Sequence, residues 1–345
     1  MRKQKGVIEK RFVQNGLYSA ENERKQTQIF LINNGERYMP IFHCPMGAPY
    51  YEGDNCILCD LCNATTKEEM VIATKKIRDY LRSRPERKII TRKIAVCGKG
   101  GVGKSTIVTL MAKAMIKEGY SVLVLDMDES NPGLFRMFGF EEEPKPLISV
   151  LRRFSEDSQV IDAKWLRNDE ISFQDIPPEY TVKLDTLKFL MVGKIVDPFE
   201  GCACSMADVT RELMGKLQTK EKEIVIVDME AGIESFGRGV ERHVDAVIIV
   251  VEPSYESISL AEKIDYMADG IGVGKVRAVL NKIPSKDTED KILEQLLEKE
   301  IRHIGTVHLN SQISEANFQG KALIGLQEND EIRQIVRRLL DDSNF

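Results

Sequence analysis

The segment Gly98-Lys99-Gly100-Gly101-Val102-Gly103-Lys104-Ser105-Thr106 lies between the β-branched run KIAVC and the helix-like IVTLMAKAMI. Glycines at 98, 100, 101 and 103 let the backbone turn its amide groups toward phosphate oxygens, and a helix that begins here adds its positive end. Lys104 is placed to neutralise the β- and γ-phosphates of a nucleotide, and the Ser105 hydroxyl to ligate magnesium. Further magnesium contacts are expected from carboxylates that end apolar runs, namely Asp126, Asp128 and Asp228. Asp228 closes IVIVD, as an acid reaching the metal through water would, and Asp126 supports the same ion. Asp126 and Asp128 have a second reading as strand-end carboxylates without a metal role.

Asn281 and Lys282 end the run VRAVLNKI, and the chain continues Ile283-Pro284 without the aspartate of a guanine reader. Guanine's ring N–H and amino donors would have no partner there, whereas Asn281 can bond the adenine amino and N7 groups. The nucleotide is therefore read as ATP.

These residues need a scaffold that carries them at one edge. From residue 89 onward, short apolar runs alternate with helical stretches: KIAVCG, SVLVLDMD, LKFLMVG, EIVIVDME, DAVIIVVEP and VRAVLNKI. Such runs suit strands buried on both faces, so the expected fold is α/β, a doubly wound, mostly parallel sheet of the P-loop NTPase type. Ligands of such sheets bind beyond the carboxyl ends of the strands. Residues 66–84 read as a helix, and the charged stretch around Pro85 divides a small cysteine-rich module at 1–88 from the ATPase domain at 89–345. The segment at 331–345 is amphipathic, and packing against the sheet is favoured over membrane docking.

The chain has 345 residues, 42% hydrophobic and 30% charged, with net charge -5. It shows no apolar run long enough to span a membrane, and its N-terminus MRKQKGVIEKRF has no apolar core of a signal peptide. A cytoplasmic protein without stable membrane insertion is expected, and the charge gives no global footprint for nucleic acid. Its seven cysteines would then be reduced, where close spacing points to metal or catalysis rather than disulfides. Cys97, alone in the first strand, is read as core packing.

The glycine loop with its second lysine, Lys99, resembles the deviant Walker A family of MinD/ParA-like ATPases. That resemblance implies a homodimer in which Lys99 reaches the partner's nucleotide and stabilises charge in the transition state. It also implies that Asp128, in VLDMDESNPG, positions or deprotonates the attacking water. Within the family, DMEAGIESFGRG at 228–239 and the segment EGCACS resemble the CooC-type nickel-insertion ATPases of carbon monoxide dehydrogenase.

The most discriminating element is Cys202-Ala203-Cys204. Two thiolates cannot close a tetrahedral site, and a two-fold dimer would supply the other pair around one axis, for nickel or zinc. The helix that follows should lower the thiol pKa values. Small residues at a helix start and redox-active thiols are the other readings of the pair.

Cys44, Cys56, Cys59 and Cys62 lie upstream in a module the nickel-insertion family lacks. Cys56-x-x-Cys59-x-x-Cys62 resembles the run of bacterial ferredoxins, with Cys44 completing a [4Fe-4S] ligand set. A structural zinc site is the rival reading, with His43 a further possible ligand.

The leading expectation is an ATP-dependent metallochaperone that serves a metalloenzyme client, carbon monoxide dehydrogenase or a related acetyl-CoA pathway enzyme. An iron-sulfur scaffold or ATP-driven reductase is one alternative. A positioning ATPase at a membrane is the other.

Overall fold

The computed structural model describes residues 28–33, 37–43, 51–52, 55–56, 66, 72, 90–129, 133–149, 164–193, 203–233, 236, 239–325 and 329–341. The chain divides into two compact units, residues 1–87 with the short stretch Asp269–Gly272, and the remainder. In the first unit, strand β1 (Gln28–Asn33) pairs antiparallel with β2 (Arg37–His43), and β3 (Tyr51–Glu52) with β4 (Asn55–Cys56). Cys56 is thus on β4, opposite Tyr51. Cys44, Cys59 and Cys62 fall outside the described residues, as does the helix expected at 66–84 apart from Thr66 and Ile72.

The second unit is built on one eight-stranded sheet. Its strands are β5 (Lys93–Gly98), β6 (Ser121–Asp126), β7 (Thr181–Leu184), β8 (Leu187–Met191), β9 (Glu223–Asp228), β10 (Ala246–Val251), β11 (Lys275–Ile283) and β12 (His303–His308). They lie in the order β12-β11-β10-β5-β9-β6-β8-β7, and every neighbouring pair is parallel except β7 with β8. All residues of β9 and β10 are buried. That is why AVIIVV and the IVIV between Glu223 and Asp228 are continuously apolar instead of alternating. Two strands go beyond the sequence expectation. β7 is a short, polar edge strand, and β12 mixes apolar and polar positions in HIGTVH, so neither carries a strong strand signal.

From β5 the chain crosses to β6, leaving a gap that β9 later fills, while β10 lies on the other side of β5. The order therefore reverses at β5, which opens a crevice beyond its carboxyl end.

Helix α1 (Lys104–Lys117) leaves that point and buries Ile107, Val108, Leu110, Met111, Ala114 and Met115. It is buried over most of its circumference because it packs on the sheet and also under the carboxy-terminal helix at Asp330–Asp341. That helix covers β12 as well, with Ile332, Ile335, Val336 and Leu339 at 1% exposure or less. The amphipathic stripe read from the sequence is therefore spent on the core. Ile335→Ala is expected to cost about 2–4 kcal/mol, measured by denaturant unfolding. An unchanged midpoint would mean that the stripe is free for another surface.

Candidate functional site

The loop after β5 adopts a conformation that its glycines make possible. Gly98 has φ 148°, and a Cβ there would lie 2.7 Å from the Val250 carbonyl oxygen on the adjacent strand β10. Gly103, at φ 96°, meets the Asn281 side chain where a Cβ would be. A side chain at either position would push the loop off the strand ends that carry it. Val102 N–H closes the turn on the Lys99 carbonyl at 3.3 Å. Lys104, Ser105 and Thr106 then form the first turn of α1, with Lys104 6% and Thr106 7% exposed.

Parallel register brings the acids together. Asp126 on β6 pairs with Asp228 on β9, and Asp128 N–H donates to Asp126 Oδ1 at 3.2 Å. Asp126, Asp128 and Asp228 are 1%, 7% and 0% exposed. The Ser105 hydroxyl donates to Asp228 Oδ2 at 2.6 Å, while Asp228 Oδ1 is buried without a hydrogen-bond partner. Burial first, and the Asp126 charge second, push the Asp228 carboxyl up to about 7. Beside it, burial and a hydrogen bond to Glu230 push Glu129 up to about 7. A buried set of hard oxygen donors with one orphaned carboxylate oxygen and excess negative charge fits magnesium.

This arrangement is a phosphate loop facing strand-end carboxylates. The CobQ/CobB/MinD/ParA nucleotide binding domain family matches residues 93–324. The chain belongs to this family. It is 42% identical over 253 residues to an uncharacterized ATP-binding protein of Methanocaldococcus jannaschii, covering 72% of this chain and 99% of that protein. It is 31% identical over 258 residues to the carbon monoxide dehydrogenase accessory protein CooC of Rhodospirillum rubrum, covering 72% and 96%. Among solved structures, the MinC:MinD cell division protein complex of Aquifex aeolicus matches with TM-score 0.55 at 19% identity, covering 74% of this chain and 97% of that one. That likeness establishes the fold. The chain is thus a P-loop ATPase of the MinD/ParA type, and among its described residues no helix is long and apolar enough to cross a membrane.

Within this family fold, two of the expected site residues make contacts inside the chain that the sequence did not show. Asn281 is 5% exposed and its side-chain amide donates to the Val102 carbonyl at 2.8 Å. It braces the phosphate loop from β11 through the amide nitrogen. Lys99 Nζ lies 3.2 Å from Glu252 Oε1, and Lys282 Nζ lies 3.2 Å from Glu252 Oε2 while also donating to the Gly101 carbonyl. Glu252, directly after β10, also ends an apolar run, but its link to Lys99 and Lys282 depends on strand order and is not visible in the sequence.

Asn317, on the helix Ser311–Phe318, donates to the Thr106 hydroxyl at 3.2 Å. This contact joins residues 211 positions apart, beyond the reach of local pattern.

Cys97 is 1% exposed, and burial raises its thiol well above the ordinary value, in keeping with core packing. Cys202 lies outside the described residues, and the helix expected after the pair begins earlier, at Ala203, so that Cys204 falls in the first turn of α2 (Ala203–Lys216). Among the described residues no group of three or more histidine, cysteine and carboxylate side chains is arranged to hold a metal ion by itself, so the magnesium set depends on the Ser105 hydroxyl and on nucleotide oxygens as well.

Proposed function

We propose that this ATPase is a metallochaperone, in which ATP closes a two-fold dimer and a Cys202/Cys204 pair from each chain holds one nickel or zinc ion for a metalloenzyme client. The observation that carries this reading is where α2 begins. A Cβ on Gly193, two residues beyond β8, would meet Met206 at 3.1 Å. The first turn of α2, with Cys204 in it, is therefore at the carboxyl end of the sheet, the same end as the phosphate loop. Thiols at a helix start are acidified by its dipole, which favours the thiolate a borderline metal needs. Similarity to CooC along nearly its whole length supports a client of the carbon monoxide dehydrogenase class.

In this mechanism the loop amides and Lys104 hold the phosphates. Asp128 orients and deprotonates the attacking water, and Lys99 of each chain stabilises the charge that develops on the nucleotide of the other. Ser105, Asp126 and Asp228 would hold magnesium, which would supply positive charge to the phosphates. Hydrolysis then removes the link between chains and reshapes the four-thiolate site.

Metal analysis tests the reading. With Cys44, Cys56, Cys59 and Cys62 replaced by serine, the ATP-bound protein is expected to carry about one metal per dimer. The further change Cys202→Ser/Cys204→Ser should remove it while ATP binding persists. Unchanged stoichiometry would refute a shared site. In the parent protein, broad absorbance near about 400 nm that disappears with Cys59→Ser would instead favour the iron-sulfur reading of the early cysteines.

A further inference from the structure

Glu252 is fixed where it can compete for the signature lysine. Its backbone follows β10, whose Val250 pairs with Gly98 at the start of the phosphate loop, and its amide donates to the Ser257 hydroxyl at 3.1 Å. Its carboxylate is 19% exposed and divided between two ammonium groups, Lys99 on Oε1 and Lys282 on Oε2. Burial alone would raise its pKa. The two lysines outweigh that and hold the carboxyl below its usual range, so it stays an anion.

We propose that Glu252 is a positioning residue that parks Lys99 in the nucleotide-free chain and releases it when the phosphates of a partner's ATP compete for the same ammonium. The inference rests on the reading of Lys99 as a ligand across the dimer, and it adds a resting state to that reading. The Lys99 side chain is 37% exposed, so it can swing outward once the competing charge arrives. Lys282 makes the release affordable in charge terms. It is anchored in a left-handed backbone conformation at φ 59° and bonded to the Gly101 carbonyl, and it stays on Glu252 after Lys99 departs. A largely buried carboxylate is thereby never left without a counterion. The same two contacts tie the lysines to the loop, so the pose of Lys99 depends on the end of β10, where no sequence motif is found.

The test is dimerisation of the full-length protein, followed by light scattering while the non-hydrolysable analogue AMP-PNP is titrated with magnesium present. Glu252→Gln weakens both of its partly exposed ion pairs, and loss of the one to Lys99 is expected to lower the analogue concentration for half-dimerisation about two- to fivefold. Glu252→Asp should restore the parent value, and Glu252→Gln should shift nothing in a Lys99→Ala background. An unchanged or higher midpoint, or an equal shift with and without Lys99, would overturn the parking role.

If Lys99→Ala forms no dimer, the acylation rate of Lys99 in nucleotide-free protein, read by peptide mass spectrometry, decides. A rise of about two- to fivefold in Glu252→Gln supports parking, and no rise refutes it. Should Lys99→Ala itself dimerise and hydrolyse ATP like the parent, the trans-lysine reading fails and the parking role falls with it.

Discussion

Lys99→Ala is expected to lower ATP turnover by about three orders of magnitude while leaving ATP affinity within a fewfold of the parent. The two effects separate because different groups carry them. Nucleotide is held within one chain by the loop amides and by Lys104, which starts α1 and is 6% exposed. Lys99 is instead paired with Glu252, at 3.2 Å, with its side chain 37% exposed. On the proposed reading its charge contributes only when a second chain brings phosphates to it, and stabilisation confined to the transition state appears in kcat and not in binding.

Turnover measured with the client present, beside equilibrium binding of a fluorescent ATP analogue, checks both halves. Undiminished turnover sinks the trans role. Loss of binding in parallel with turnover would place Lys99 in the cis site instead. Asp128→Ala offers the complementary result, because it keeps both lysines and removes the group assigned to water. It should accumulate an ATP-bound dimer, visible by size-exclusion chromatography with light scattering.

Much of the nucleotide site was legible because its parts are local. A strand, four glycines, Lys104, Ser105 and a helix occupy consecutive residues, and each apolar run buried on both faces announces itself by composition. The acids were legible one by one as strand-end carboxylates. Their meeting was not, since Asp126 and Asp228 become neighbours only through the β6–β9 register. Asn281 shows the same limit. Its residue type pointed to the base, whereas its hydrogen bond to Val102, 179 positions away, depends on β11 lying two strands from β5. Glu252 was invisible for the same reason, as its partners come from two other strand ends. The carboxy-terminal helix was read correctly as packed because its stripe of Ile332, Ile335, Val336 and Leu339 has the spacing of a buried face. The early cysteines fall largely outside the described residues, so their spacing carries that reading by itself.

Asp228→Asn is expected to stabilise the metal-free, nucleotide-free protein at alkaline pH while lowering turnover by about two orders of magnitude. In the unfolded chain this carboxyl titrates near 3.8, and in the fold it is pushed up to about 7, by burial first and then by the charge of Asp126. Between those values the folded chain holds a proton that the unfolded chain has lost. The stability carried by the neutral form is therefore complete below pH 3.8 and disappears as the pH rises through about 7. Asparagine cannot ionise, and its carbonyl oxygen still accepts the hydrogen bond that Ser105 Oγ donates to Asp228 at 2.6 Å. At about pH 8 the variant should exceed the parent by up to about 4 kcal/mol, or about 8–16 °C in Tm, and the difference should shrink toward zero near about pH 4. Magnesium and ATP should reverse the order, because only the parent has the carboxylate that the cation needs. Thermal unfolding of both proteins across this pH range, with chelator and then with magnesium-ATP, provides the measurement. A parent as stable as the variant at alkaline pH without metal would show that the Asp228 charge is already compensated within the chain, and the carboxylate cluster would lose its claim to be a cation site.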